Sequence, residues 1–296
     1  MNVLITGSEG FIGRNLAIKI SQAHNLFTID RKKTTTSLSK KHMVGEVSDN
    51  HILSSIDVPI DVIYHFGSAS SILSFKGNEY ELASSEIEGF MNVMEFARRH
   101  DVKRIIYPST ASIYTKDTAT GKNVVGPSNI YAAVKFAEEQ IARFYSKEIN
   151  TVGLRIFMVY GPGEKTKEER ASPITLFIRD ILEGNPPVIY GDGSQTRDPL
   201  YIDDLTEVLN NILNDSEITG IHDICTGYQI SFNHVIKLIR KVIGIEISPK
   251  YVSRPKSYIE GTTGNPNLTK KLLGRNFTPI EYGIKTIYEE LQNNYR

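Results

Sequence analysis

The feature that most constrains this chain is the glycine-punctuated run near its start. A short apolar stretch, Asn2–Thr6, leads into Thr6-Gly7-Ser8-Glu9-Gly10-Phe11-Ile12-Gly13, and Phe11–Gln22 then has helical spacing. Glycine at 7, 10 and 13 between a strand and a helix has specific physics. The first permits a sharp turn, the second lets the backbone approach a pyrophosphate, and the third lets the helix pack closely on the strand. The helix N-terminus adds N–H groups and a favourable dipole for the phosphates. Phe11 and Ile12 lie inside this loop and join Gly7, Gly10 and Gly13 as expected dinucleotide contacts. A glycine triplet can also serve a tight turn alone, so its weight depends on the surrounding pattern.

That pattern is an alternation. Short apolar runs at Asn25–Asp30, Asp61–His65, Lys103–Pro108 and Thr151–Phe157 are separated by helical spacing at Glu86–Arg99 and Ser128–Glu148. Continuous apolar strands between helices predict a parallel sheet covered on both faces. Right-handed crossovers then give an α/β, Rossmann-type doubly wound sheet. Prolines break the second half into shorter pieces, with helices expected at Ser172–Glu183, Asp203–Leu213, Phe232–Ile243 and Pro279–Asn293. Ser231 and Thr278 sit where N-caps belong, and Pro279 at a first helical position. We expect two lobes in close contact, meeting near residues 158–165. One is a nucleotide-binding domain over 1–160, with 198–225 returning to it; the other is a smaller substrate-binding lobe over 161–296. Thr34–Lys41, polar and basic, is expected to be an exposed loop.

Composition removes other classes. The 296 residues carry 34 Lys plus Arg and 34 Asp plus Glu, so charge gives no argument for nucleic acid or an anionic membrane. A single cysteine, Cys225, allows neither an intrachain disulfide framework nor a cysteine-based metal site, and no metal is expected. No apolar run approaches the roughly 20 residues of a membrane span. Val3-Leu4-Ile5 follows the first residues with no basic segment, so no signal peptide is expected, and the expected location is cytoplasmic.

The second strand ends in Asp30. An acid there accepts hydrogen bonds from the adenosine ribose hydroxyls and repels a 2′-phosphate, which favours NAD over NADP. A turn aspartate at a strand end is the plainer reading. Arg31 follows and can partly offset the repulsion. Glu46 and Asp49, after a short third strand, can meet the adenine or be solvated surface acids; neither is assigned.

Tyr131-Ala132-Ala133-Val134-Lys135 lies early in a helix opened by Pro127-Ser128. A spacing of four places both side chains on one helical face. An ammonium near a phenol stabilises phenolate and lowers the tyrosine pKa toward working pH, making Tyr131 a candidate acid/base. The spacing alone is more commonly that of a packing tyrosine beside a solvated lysine. Upstream, Arg104-Ile105-Ile106-Tyr107 ends in Pro108-Ser109-Thr110-Ala111-Ser112-Ile113-Tyr114, hydroxyls at the carboxyl end of a strand where ligands bind. They can equally be strand-end caps.

Taken together these blocks resemble the extended short-chain dehydrogenase/reductase family, in particular its nucleotide-sugar epimerases and dehydratases. The match spans nearly the whole chain. It runs from Gly7, Gly10, Gly13 and Asp30 through His65-Phe66-Gly67-Ser68-Ala69, Thr110, Tyr131 and Lys135. It continues with Leu154-Arg155 to Tyr160-Gly161-Pro162-Gly163 and Gly191-Asp192-Gly193-Ser194-Gln195-Thr196-Arg197-Asp198, and closes with Tyr201-Ile202-Asp203-Asp204 and Arg254-Pro255. The resemblance implies that Thr110, Tyr131 and Lys135 are catalytic and that NAD stays bound, with Phe66, Gly67 and Ser68 beside it. Arg197 and Arg254 match the arginines that hold the substrate diphosphate, which suits the guanidinium fork. It also implies a homodimer formed through the helices at Glu86–Arg99 and Ser128–Glu148. Four positions depart from the family pattern. Met158 stands where an asparagine helps hold substrate phosphate, Lys256-Ser257 replaces Gly-Asp, Glu86 replaces a cofactor-side asparagine, and Pro199 replaces an aromatic residue.

The family's dehydratases carry Asp-Glu directly after the catalytic threonine, and its decarboxylases use a glutamate there. Here the residues are Ala111 and Ser112. Elimination then lacks a proton donor, leaving reversible hydride transfer. The expected reaction is 4-epimerisation of a UDP-hexose or UDP-N-acetylhexosamine. Tyr131 takes the hydroxyl proton, Thr110 positions the reacting oxygen, and Lys135 holds the nicotinamide ribose. The alternatives are a nucleotide-sugar reductase or dehydratase of the same family and a non-catalytic dinucleotide sensor.

Overall fold

Alternating side chains decide the architecture. In strand β1 (Asn2–Thr6), Val3 and Ile5 enter one hydrophobic cluster and Leu4 enters another. Val62 and Tyr64 divide from Ile63 in the same way in β4 (Val62–His65), as does Ile106 from Ile105 and Tyr107 in β5 (Arg104–Thr110). A strand with two buried faces must be covered on both sides, as parallel sheets are. With β2 (Asn25–Asp30), β3 (Lys41–Val44) and the strands Asn150–Ile156 and Gly220–Ile224, these form a seven-stranded sheet. Its order is Gly220–Ile224, Asn150–Ile156, β5, β4, β1, β2, β3, and every neighbouring pair is parallel. The strand order reverses between β1 and β4, so a crevice opens at their carboxyl ends. This computed structural model describes residues 1–34, 36–116, 120, 122–254 and 261–295.

Helices α1 (Phe11–Ile20), α2 (Asn50–Ser54), α3 (Glu79–Arg99) and α4 (Ile130–Tyr145) belong to the first half of the chain. The second half adds α5 (Pro173–Leu182), α6 (Ile202–Asn214), α7 (Phe232–Ile243), α8 (Asn267–Leu273) and α9 (Ile280–Tyr295). Phe90, Val93 and Met94 of α3 and Ala142 of α4 cover one sheet face, while Leu16 of α1 and Leu205, Leu209 and Ile212 of α6 cover the other. Ile178 of α5, Ile236 of α7 and Ile284 of α9 join that second cluster, so both halves of the chain share one apolar core. Among the described residues no helix is long and apolar enough to cross a membrane.

Local chemistry shifts some boundaries. The helix carrying Tyr131 starts at Ile130, because Asn129 accepts from the Ala132 N–H at 3.0 Å and serves as its cap. Ser231 caps α7 as expected, by accepting from His234 N–H. Thr278 does not cap α9; its hydroxyl and its N–H both go to Asp204 at 2.8 Å, and the helix begins at Ile280. Helix α3 begins at Glu79, seven residues earlier than its apolar spacing suggested, and α8 was not foreseen. The expected 34–41 loop ends in strand β3, which takes Lys41.

Candidate active site

The glycine loop is shaped by backbone contacts. Gly7 has φ +72°, and a Cβ there would lie 2.4 Å from the Phe66 carbonyl oxygen. A Cβ on Gly13 would lie 2.1 Å from the Gly7 carbonyl oxygen, so α1 approaches the turn as closely as glycine allows. The Gly10 N–H closes the turn on the Gly7 carbonyl at 3.1 Å, and no side chain caps α1 at Gly10. Asp30, at the end of β2, accepts from the Glu9 N–H and the Lys32 N–H, each at 2.9 Å. It is therefore both a turn aspartate and a brace for the glycine loop. Arg31 pairs with Glu46 at 3.6 Å on the surface, and Asp49 caps α2. The loop after β4 is tied to β1: the Gly67 N–H donates to Thr6 Oγ1 at 3.0 Å, and that hydroxyl meets His65 Nδ1 at 2.8 Å. Burial, aided by the Lys135 charge, lowers the His65 pKa to about 3, so this ring is neutral. Phe66 stacks on Tyr64, and Ser68 Oγ accepts from Lys135 Nζ at 2.8 Å.

Thr110, Tyr131 and Lys135 come together where β5 ends and α4 begins. All three are buried. Thr110 Oγ1 accepts from the Ser112 N–H at 3.1 Å, and the nearby Thr110 hydroxyl favours the ionised form of Tyr131. Phe75 packs on the Tyr131 ring. Burial raises the Tyr131 pKa; Lys135 opposes that shift, while Glu138 and Glu86 reinforce it. The net direction is upward, opposite to the lowering expected from the tyrosine–lysine spacing, because burial outweighs the Lys135 charge, which is also shared with two glutamates. Its ammonium donates to both Glu138 oxygens at 3.0 Å and to Glu86 at 3.4 Å. Glu86 also accepts the Ala69 N–H at 2.9 Å through both oxygens, fixing the loop that follows Ser68. Burial works against the Lys135 charge, but the two glutamates prevail and its pKa rises.

The residues expected on the substrate side belong to smaller elements. Met158 opens the strand Met158–Tyr160, paired in parallel with Pro199–Tyr201, so Met158 faces Pro199 in register. Arg197 lies in a two-residue pairing with Ile230, its guanidinium 5.2 Å from the Phe232 ring centroid. Arg254 pairs with Asp192 at 2.9 Å. Asn233 links the two segments: its side chain donates to the Asp192 carbonyl at 2.9 Å and accepts from Tyr251 OH at 2.8 Å. Asp198, buried, receives the N–H groups of Thr226 and Gly227 and the Thr226 hydroxyl, and so clamps Thr226-Gly227 to the Arg197 strand. Pro255, Lys256 and Ser257 lie outside the described residues.

Residues 3–224 match the family described as "NAD dependent epimerase/dehydratase family". The chain belongs to it. Among curated relatives, Protein CapI of Staphylococcus aureus is 26% identical, with 100% of this chain and 97% of that protein covered. A UDP-glucuronate 4-epimerase of Thermodesulfobacterium geofontis is 27% identical, over 95% of this chain and 93% of that one. The crystal structure of a UDP-glucose 4-epimerase from Thermotoga maritima, with UDP-glucose, superposes with a TM-score of 0.88 at 22% identity, covering 100% of both chains. That likeness is one of fold.

The residues of this chain fit the family's cofactor. Gly7 and Gly13 let the loop and α1 pack tightly on neighbouring backbone, and α1 presents toward the strand ends an N-terminus without a side-chain cap, which suits a pyrophosphate. Ser8 Oγ is buried beside this loop with no hydrogen-bond partner. Asp30 keeps its carboxylate half-exposed at the end of β2. Among the described residues no group of three or more His, Cys, Asp or Glu could hold a metal ion. The sequence reading missed Glu138. Its signal was available, since position 138 lies one turn after Lys135 on the same helical face. Asp198 was read only as part of a block, and its clamp became visible once Thr226 and Gly227 were placed beside it.

Proposed function

We propose that this chain is an NAD-dependent 4-epimerase of a nucleotide-linked hexose, with a UDP-hexose or UDP-N-acetylhexosamine as substrate. The observation that carries this reading is the arrangement at the end of β5. Thr110, at the end of β5, lies near enough to Tyr131 to favour its ionised form, and the turn directly after Thr110 is Ala111–Ile113, with no carboxylate. A proton can therefore be moved at one hydroxyl, while water elimination lacks a second acid. The UDP-sugar 4-epimerases among the relatives point the same way.

Gly7, Gly10, Phe11, Ile12, Gly13, Asp30, Arg31, Phe66, Gly67 and Ser68 are the residues that hold the dinucleotide. Bound NAD supplies a reversible acceptor for the hydride on carbon 4. Tyr131, as phenolate, removes the proton of the 4-hydroxyl and returns it after the 4-keto sugar has presented its other face. Thr110 orients the reacting oxygen. Lys135 holds the nicotinamide ribose and supplies positive charge beside Tyr131. Arg197 and Arg254 hold the diphosphate, and Met158 borders the nucleotide. In this reading residues 1–160 with 198–225 form the nucleotide domain and 161–296 the substrate lobe. A cytoplasmic homodimer is formed through α3 and α4, whose Met91 and Phe144 are exposed; sedimentation checks that assembly.

Proton NMR of the sugar during incubation, with no added cofactor, tests the reaction. Inversion at carbon 4 is expected. A stable 4-keto-6-deoxy sugar would make the chain a dehydratase, and stoichiometric use of reduced nicotinamide would make it a reductase. Purified protein that changes no nucleotide sugar would make it a dinucleotide sensor.

A further inference from the structure

Lys135 is surrounded by more negative charge than its assigned role requires. Two helices converge on its ammonium, Glu138 from the next turn of α4 and Glu86 from α3. The Lys135 and Glu138 side chains are each 1% exposed and that of Glu86 is 9% exposed. One cation facing two ionised carboxylates leaves a net negative charge away from water, which is costly. A single proton on Glu138 restores neutrality. The Glu138 carboxyl follows this logic: burial pushes it upward, Lys135 opposes, and Glu86 adds to the rise.

The other ionisable groups packed around the pair are occupied or neutral. Glu139 of α4 takes Arg155 of strand Asn150–Ile156 through two hydrogen bonds, at 2.8 and 2.7 Å, and accepts from Ser109 of β5 at 2.6 Å. Burial raises the Tyr107 phenol on β5, and His65 on β4 is neutral. The local charge balance therefore rests on Glu86, Glu138, Lys135 and Tyr131. Tyr131 lies one turn before Lys135 and responds to all three.

We propose that Glu138, together with Glu86, is a positioning residue that sets how much of the Lys135 charge reaches Tyr131, so that the charge of the buried Glu138 controls when Tyr131 becomes a base. This rests on the reading of Tyr131 as the acid/base. When Glu138 holds a proton, the cluster is neutral and phenolate formation meets no excess negative charge. When the pair is fully ionised, phenolate formation must add a second negative charge beside it. The enzyme then works with a less acidic tyrosine than a lone lysine would give.

The test is an ultraviolet difference titration of phenolate in the protein as purified, with the Tyr131→Phe titration subtracted. Glu138→Gln removes the charge but keeps an oxygen for Lys135. The Tyr131 midpoint should fall by about one pH unit or more. Glu138→Asp, which keeps the charge, should stay near the wild-type midpoint, and Glu86→Gln should shift in the same direction as Glu138→Gln. Equal midpoints in folded wild type, Glu138→Gln and Glu86→Gln would overturn the proposal. Thermal unfolding gives a second readout. A carboxyl raised from 4.5 to about 7 in the folded state binds a proton that the unfolded chain releases near 4.5. This contribution to stability is complete below pH 4.5 and is lost as pH rises through about 7. The wild-type melting temperature should fall across that window relative to Glu138→Gln, and identical pH dependence would count against a proton held on Glu138. Neither readout needs sugar turnover. An inactive protein with a shifted midpoint would sink the epimerase reading alone, and an active one with equal midpoints would sink only this one.

Discussion

The proposed nucleotide and substrate ends of the site are built by different means. At the nucleotide end, position is set by backbone. Gly7 turns at φ +72°, Gly13 sits against the Gly7 carbonyl, and the Phe66 N–H reaches the Thr6 carbonyl at 3.0 Å. These contacts follow from the register of β1 with β4, which the buried apolar strands fix. At the substrate end, position is set by side chains. Arg254 depends on Asp192, 62 residues away, and Arg197 on the Phe232 ring. The flanking pairings are only two or three residues long. A site made by backbone is specified where the chain is read. A site made by side-chain partners is specified only once distant segments have met.

Substitutions can break or sharpen that contrast. The largest expected effect is at Tyr131→Phe, which removes one hydroxyl from the junction of the two ends. Turnover should fall by about 10²–10⁴-fold, while the fold and NAD retention persist. A variant with near-wild-type turnover would assign the proton to another group. Next is Gly13→Ala, whose methyl must enter the space of the Gly7 carbonyl. We expect a stability loss of about 1–3 kcal/mol by denaturant titration, together with loss of retained NAD. Unchanged stability would show that the nucleotide end is less rigid than its backbone contacts imply.

Arg197→Ala and Arg254→Ala should each weaken nucleotide-sugar binding by about 1.5–3 kcal/mol, measured by calorimetry. Stability should move little, because the Arg254–Asp192 pair is partly exposed and such pairs contribute roughly 0–1 kcal/mol. Unchanged binding would make these arginines surface or structural residues. The smallest effect is expected at Asp30→Asn. It keeps one oxygen, so only one of the Glu9 and Lys32 N–H groups, which use different Asp30 oxygens, retains its acceptor, and it removes the charge that opposes a 2′-phosphate. The preference for NAD over NADP should relax by about 1 kcal/mol, the Coulomb energy of two unit charges roughly 4 Å apart in water. Denaturing the wild-type protein and assaying the released nucleotide should yield NAD; recovery of mainly NADP would overturn the role of Asp30.

The sequence by itself determined the parallel sheet, the glycine loop, and the spacing that brings Tyr131 and Lys135 to one helical face. Each is local: an apolar run buries both faces, a glycine permits one turn, and a four-residue step spans one helical turn. The sequence also showed Glu86 as an unusual residue but gave no reason for it. Only the tertiary structure brought Glu86 of α3 within 3.4 Å of Lys135, beside Glu138, and only the burial it produced, reinforced by these two acids, turned the expected lowering of the Tyr131 pKa into a rise. Likewise, Asp198 became a clamp only once Thr226 and Gly227 had folded back onto it. The physical reason is the same in both cases. A charge acts through space and through its burial, and neither can be read from the order of residues along the chain.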